Sequence, residues 1–254
     1  MRIRIVLLTM LLTFFVAGCN DNQVNSTESP EDTTHSSTEE ENSNVKGNKQ
    51  IVDSNTNESN EELSSVKSEL KISEAEVKLP SAFPEREVKP FIEKNEDNKY
   101  TISYSTEAEE VATFSGTQYA SKEEAIQTVQ DFSNGKKVGP FEEGAVDLGY
   151  GITGYGEGAT GSQYFSWEEG NWLLSIRSLT MDEIDHPEIA KKIVEYLETH
   201  MLPAPGEDGI VYINYPQGGD EVSVDVRWQE HNMVSRLQTD RVPLEALEMT
   251  ASVT

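Results

Sequence analysis

The chain is short of basic residues, of histidine and above all of cysteine. Its 254 residues carry 20 Lys and Arg against 46 Asp and Glu, a formal net charge of −26. A surface this acidic is repelled by nucleic acid and by anionic lipid headgroups, which excludes both as natural partners and leaves proteins or small cations as the expected ligands. Cys19 is the single cysteine, so there is neither a disulfide framework nor, outside that position, a thiol nucleophile. The four histidines, His35, His186, His200 and His231, are scattered, with no pair at helical i, i+4 spacing for zinc. No Phe, Tyr or Trp lies between Phe15 and Phe83. That gap excludes an ordinary packed core over most of the first third of the chain.

What the first residues do contain is an export signal. Arg2 and Arg4 precede an apolar run from Ile5 to Val16, which is shorter than the ~20 residues needed to span a bilayer. The run ends in Val16, Ala17 and Gly18, with Cys19 next. This arrangement resembles the lipobox of bacterial prolipoproteins. The resemblance implies cleavage after Gly18, a diacylglyceryl group on the Cys19 thiol, and residence on the outer face of the cell membrane. Two acyl chains anchor stably where one does not. Asn20 differs from the aspartate that retains some Gram-negative lipoproteins at the inner membrane, and the tether composition looks Gram-positive.

Residues 19–78 are rich in Ser, Thr, Asn and Glu and lack apolar periodicity, apart from a weak helical pattern at Leu63, Val66 and Leu70. They read as a disordered acidic tether, about 60 residues long with an r.m.s. span of roughly 45 Å. A folded domain is expected over residues 79–254. Alternating patterns predict strands at 100–104, 111–119, 162–167, 172–179, 210–215, 222–229 and 233–239, with glycine-rich short strands between 138 and 161. Ser121 with Glu124, and Asp185 with Glu188, are capping boxes that open two helices; residues 243–249 read as a short third. Strands in sets with two principal helices between them predict an α+β fold: a twisted antiparallel sheet with both main helices packed on one face. Division into two modules near Pro203 and Gly206 is the alternative. Trp167, Glu168, Glu169, Gly170, Asn171 and Trp172, followed by an acid-capped helix, are similar to the closing strands of small extracytoplasmic domains on Gram-positive lipoproteins. That resemblance implies the same sheet class and no catalytic residue.

Four constellations bear on chemistry. Gly149, Gly151 and Gly154 match G-x-G-x-x-G, but the glycine-rich stretch after them cannot start the helix that a dinucleotide site requires, so no cofactor is expected. The acidic loops 206–209 and 218–221 lack the regular spacing of a calcium loop, and no metal set is expected. No G-x-S-x-G elbow is present and no catalytic residues are assigned. Trp167, Trp172 and Trp228 with Tyr150, Tyr155 and Tyr164 form either sheet core or a ligand groove. The expected function is a non-catalytic, membrane-anchored binding module of the cell envelope. Its expected partner is another envelope protein. A solute- or cation-binding lipoprotein is the alternative, and an envelope hydrolase the third.

Overall fold

A computed structural model describes residues 54–254, with side chains from residue 61 onward. The expectations for Val16, Ala17, Gly18 and Cys19 lie outside the described residues. Helix α1 (Ser54–Glu69) leads into three meanders, each followed by a helix. The first comprises β1 (Lys89–Glu96), β2 (Lys99–Ser105) and β3 (Glu110–Gln118), then α2 (Lys122–Ser133). The second comprises β4 (Ala145–Gly149), β5 (Ile152–Ala159), β6 (Ser162–Glu169) and β7 (Trp172–Leu179), then α3 (His186–Leu197). The third comprises β8 (Gly209–Asn214), β9 (Ser223–Glu230) and β10 (Met233–Thr239), then α4 (Pro243–Ala251).

All ten strands form one sheet, in the order β1-β2-β3-β10-β9-β8-β7-β6-β5-β4. Every neighbouring pair is antiparallel except β7 and β8, which run parallel from Trp172↔Gly209 to Arg177↔Asn214. A parallel pair needs a crossover, and α3 supplies it. The sheet continues unbroken past Pro203 and Gly206, and that segment is the end of the crossover. The mixed α+β class is as expected from the sequence.

Local rules account for the elements. Ser121 Oγ accepts from the Glu124 amide at 3.2 Å and Asp185 Oδ1 from the Glu188 amide at 3.0 Å, so both helices start where the capping boxes place them. Tyr150 and Gly151 both have positive φ (53° and 81°) in the two-residue β4–β5 turn, as do Thr160 (52°) and Gly161 (78°) in the β5–β6 turn. These are the backbone angles that match hairpin twist. Gly154 serves packing: a Cβ there would lie 2.4 Å from the Phe165 ring, which crosses β5 at that point.

Side chains alternate between sheet faces, and the two faces have different contents. On one, Val211 and Ile213 of β8 join Leu174, Ile176, Val226 and Trp228 in the main core. Ala190, Ile193 and Val194 of α3 and Ala246, Leu247 and Met249 of α4 close it. Trp228 is its centre, 5.9 Å from Phe114 and 6.1 Å from Trp172 between ring centroids. On the other, Ile210 of β8 and Val234 of β10 meet Ala125 and Val129 of α2 in a second, smaller cluster. The two main helices therefore pack on opposite faces, which differs from the expectation that both share one. The reason lies in β8, whose side chains are apolar toward both sides, as a strand buried between two layers requires.

The packed region also extends further toward the N-terminus than the expected boundary at residue 79. Leu70, Ile72 and Val77 are buried in the main core, and Leu63 and Val66 pack against it. Leu79 and Thr254 exchange backbone hydrogen bonds at 3.2 Å, tying this segment to the C-terminus. Sparse apolar residues in a polar composition disguise the segment, because a few side chains suffice when the receiving surface already exists. Ile72, only 3% exposed, provides the test. In urea unfolding of the full chain, Ile72→Ala is expected to lower stability by about 2–5 kcal/mol. A change within about 0.5 kcal/mol, usual for an exposed tether position, would show that the segment is not part of the fold.

Candidate functional site

Helix α2 covers only part of its face of the sheet. Beyond its last turn, the inward positions of β8, β9 and β10 change from apolar to polar. Register places Tyr212 opposite Asp225 and Asp225 opposite Gln238, with Arg227 opposite Arg236 one step along. The result is a groove of about 450 Å³ floored by these strands and walled by Phe132 of α2.

Charge is concentrated there. Asp225 accepts from Arg227 through Nε at 2.8 Å and Nη2 at 2.9 Å, and from Arg236 through Nε at 3.1 Å. Burial raises the Asp225 carboxyl, but hydrogen bonds from the two guanidiniums offset this and hold it below the usual carboxylate range. Arg227 lies flat on Phe132, its guanidinium carbon 3.4 Å from the ring centroid. The Lys136 ammonium sits 4.2 Å from the same centroid and 5.1 Å from that of Tyr212. Burial, followed by repulsion from Arg227, pushes the Lys136 pKa down. Lys136 is placed by the segment after α2, which is pinned across the sheet: Ser175 Oγ donates to the Lys136 carbonyl at 2.7 Å and the Val138 amide to Ser166 Oγ at 2.8 Å. At the flank, Arg177 donates to Asn214 Oδ1 at 2.9 Å and to Ser162 Oγ at 3.0 Å. Hydrogen bonding to Arg177 and Ser162 lowers the Tyr164 pKa.

The aromatic set singled out in the sequence is divided between the two faces. Trp167, Trp172 and Trp228 are buried in the main core, and Tyr150 is 66% exposed at the β4–β5 turn. Tyr155 and Tyr164 pair with Ser166 and Arg177 on the α2 face. No single groove contains all six. Gly149 ends β4, Gly151 is in the β4–β5 turn and Gly154 lies within β5, so the motif is a hairpin and not a strand–helix turn. In the loop at 206–209, Glu207 pairs with Lys122 at 2.6 Å and Asp208 accepts from Gln130 at 2.8 Å, so both acids hold α2. In the other acidic loop, the Gly218 amide donates to Asp182 Oδ1 at 3.2 Å. Among the described residues there is no group of three or more His, Cys, Asp or Glu arranged to hold a metal.

One serine–histidine pair exists. Ser178 Oγ and His186 Nε2 are 2.9 Å apart, but Ser178 is fully buried and His186 only 3% exposed, and no carboxylate is hydrogen-bonded to the imidazole among the described residues. It pins the start of α3 to β7 and offers no access to a substrate. His200 stacks on Tyr196 with centroids 4.1 Å apart, and His231 occupies the β9–β10 turn. A second depression of about 400 Å³ lies at the other end of α3, between Trp172, Leu197, Met201 and Pro205, with Glu169 and His200 also lining it.

The sequence reading missed the cationic groove. Its signal was available in strand parity: Arg227 and Asp225 alternate with Val224, Val226 and Trp228, so charge on one side of β9 faces core on the other. No protein-family model, curated protein or solved structure is matched by this chain.

His186 yields a prediction. Burial holds its pKa down to about 4, against a weaker opposing effect of Asp185. Its folded value lies below the unfolded one, so stability is full above about pH 6.5 and is lost as pH falls toward 4, by on the order of 3 kcal/mol. In His186→Asn, the decline of unfolding free energy across that window should flatten. An unchanged pH profile would show that His186 does not titrate between the folded and unfolded states.

Proposed function

We propose that this chain is an exported, lipid-anchored and non-catalytic binding module of a bacterial envelope, with the groove over β8–β10 as its recognition site. Anchoring rests on the sequence: a short apolar leader ends at Val16, Ala17 and Gly18 before Cys19. No helix among the described residues is long and apolar enough to cross a membrane. The observation that supports binding is the groove, which Arg227 and Arg236 line and Lys136 and Arg177 flank, on a molecule that is acidic overall. They are preorganised by pairing and by stacking on Phe132, and rigid placement of polar groups lowers the ordering cost of recognition. An envelope component that presents acidic groups fits this face. A small cation does not, since it would meet Arg227 and Arg236 first. The buried Ser178–His186 pair gives a hydrolase reading no accessible nucleophile.

The test separates anchoring from recognition. In bacterial cells, the full chain should fractionate with membranes and Cys19→Ser should be released from them. A photocrosslinking residue replacing Gln238, exposed at the groove, should form adducts that one replacing Lys191, exposed on α3, does not. Equal adducts from both positions, or none from Gln238, would contradict the groove as the recognition site.

A further inference from the structure

We propose that the groove is an anion site that takes a small ligand carrying a carboxylate or phosphate group. This rests on the reading of the groove as the recognition site and adds the chemistry of what enters it.

Local charge in and beside the groove differs from that of the chain as a whole. Asp225 and Asp240 are the acids lining the groove. Against them stand Arg227 and Arg236 in the lining, Lys136 over Tyr212, and Arg177 bonded to the lining residue Asn214. Two cations and two acids line the groove and two further cations stand beside it, in a chain whose overall ratio is 20 to 46. Three of the seven arginines in the sequence, Arg177, Arg227 and Arg236, lie here. A surface that is acidic elsewhere keeps anions at a distance, so cations gathered in and beside one groove are a selective feature.

A guanidinium has five N–H donors. Arg227 and Arg236 each use Nε and Nη2 on the same carboxylate, leaving each Nη1 without a hydrogen-bond partner among the described residues. One carboxylate bridging two guanidiniums neutralises only one of them, and planar forks of this kind match carboxylate and phosphate oxygens. Arg227 and Asp225 are partly dehydrated, with side chains only 19% and 16% exposed, where charge interactions are screened less than at an open surface. Lys136 is partly dehydrated as well: burial first, and then Arg227, push its pKa down against the opposing pull of Asp225. A groove of about 450 Å³ suits a small ligand.

The depression at Trp172 and Met201 mixes apolar side chains with Glu169 and His200 and has nothing to identify an occupant, and the Ser178–His186 pair is closed to solvent.

The test is an NMR titration of the full chain with inorganic phosphate and, separately, with citrate, at ionic strength matched by sodium chloride. Saturable amide shifts at residues 212–214, 223–227 and 236–240 are expected with one or both probes. The apparent affinity should weaken at least about tenfold in Arg236→Gln and in Arg177→Gln. A response to phosphate alone would identify phosphate ligands, and a response to citrate alone carboxylates. Shifts equal to those with chloride, shifts outside the groove, or titrations unaltered in both variants would overturn the anion assignment. The groove's role in recognition would survive that failure if Gln238 crosslinks in cells, and would fail with it if Gln238 does not.

Discussion

Strand β8 is paired parallel to β7 on one side and antiparallel to β9 on the other, and the remaining architecture depends on that double pairing. The parallel edge demands a crossover, which fixes α3 over the main core. The antiparallel edge extends the sheet through β9 and β10 to the first meander. Because successive side chains alternate, the six residues of β8 serve two layers. Val211 and Ile213 face α3 and α4, while Ile210 and Tyr212 face α2. Slipping the register by one residue would exchange these sets, turning apolar side chains toward the groove and Tyr212 and Asn214 toward the core.

This division gives the two faces different work. The face under α3 and α4 holds nearly all the large buried side chains, including Trp167, Trp228, Tyr100 and Phe114. The α2 face is apolar only beneath the helix, and beyond it the sheet presents Arg, Asp, Asn and Gln side chains in register. Cross-strand pairing around Asp225 keeps the groove cations in fixed positions, and Phe132 holds Arg227 flat. The proposed binding surface thus sits on rigid strands, not on loops, and the core behind it is independent of the residues that would meet a ligand.

Much of the fold was legible in the sequence because its signals are local. The Ser121 and Asp185 caps, the alternation at 233–239 and the 162–179 hairpin each depend on a few neighbouring residues, and the structure has them within a residue or two. What was not legible depends on partners far away in the chain. Strand β1, interrupted by Pro90 and a register shift between Ile92 and Lys94, shows no clean alternation. Helix α2 has an apolar side, but which sheet face receives it is decided by Ile210 and Val234, each from a different strand. Leu70, Ile72 and Val77 look like isolated residues in a polar stretch until the surface they cover is known. The groove is the extreme case: Lys136, Arg177, Arg227 and Arg236 come from four separate elements, and a net charge of −26 hides their gathering in and beside it.

The central claim is that these cations serve recognition and not the stability of the sheet. The most direct measurement is the unfolding free energy of Arg236→Gln by urea titration, with native spectra confirming an intact fold. A role in recognition predicts a loss below about 1 kcal/mol, as for partly exposed ion pairs, because Arg227 remains to satisfy Asp225. A loss of several kcal/mol, the size associated with breaking a buried charge pair, would show that the cluster is a structural clasp and contradict the account.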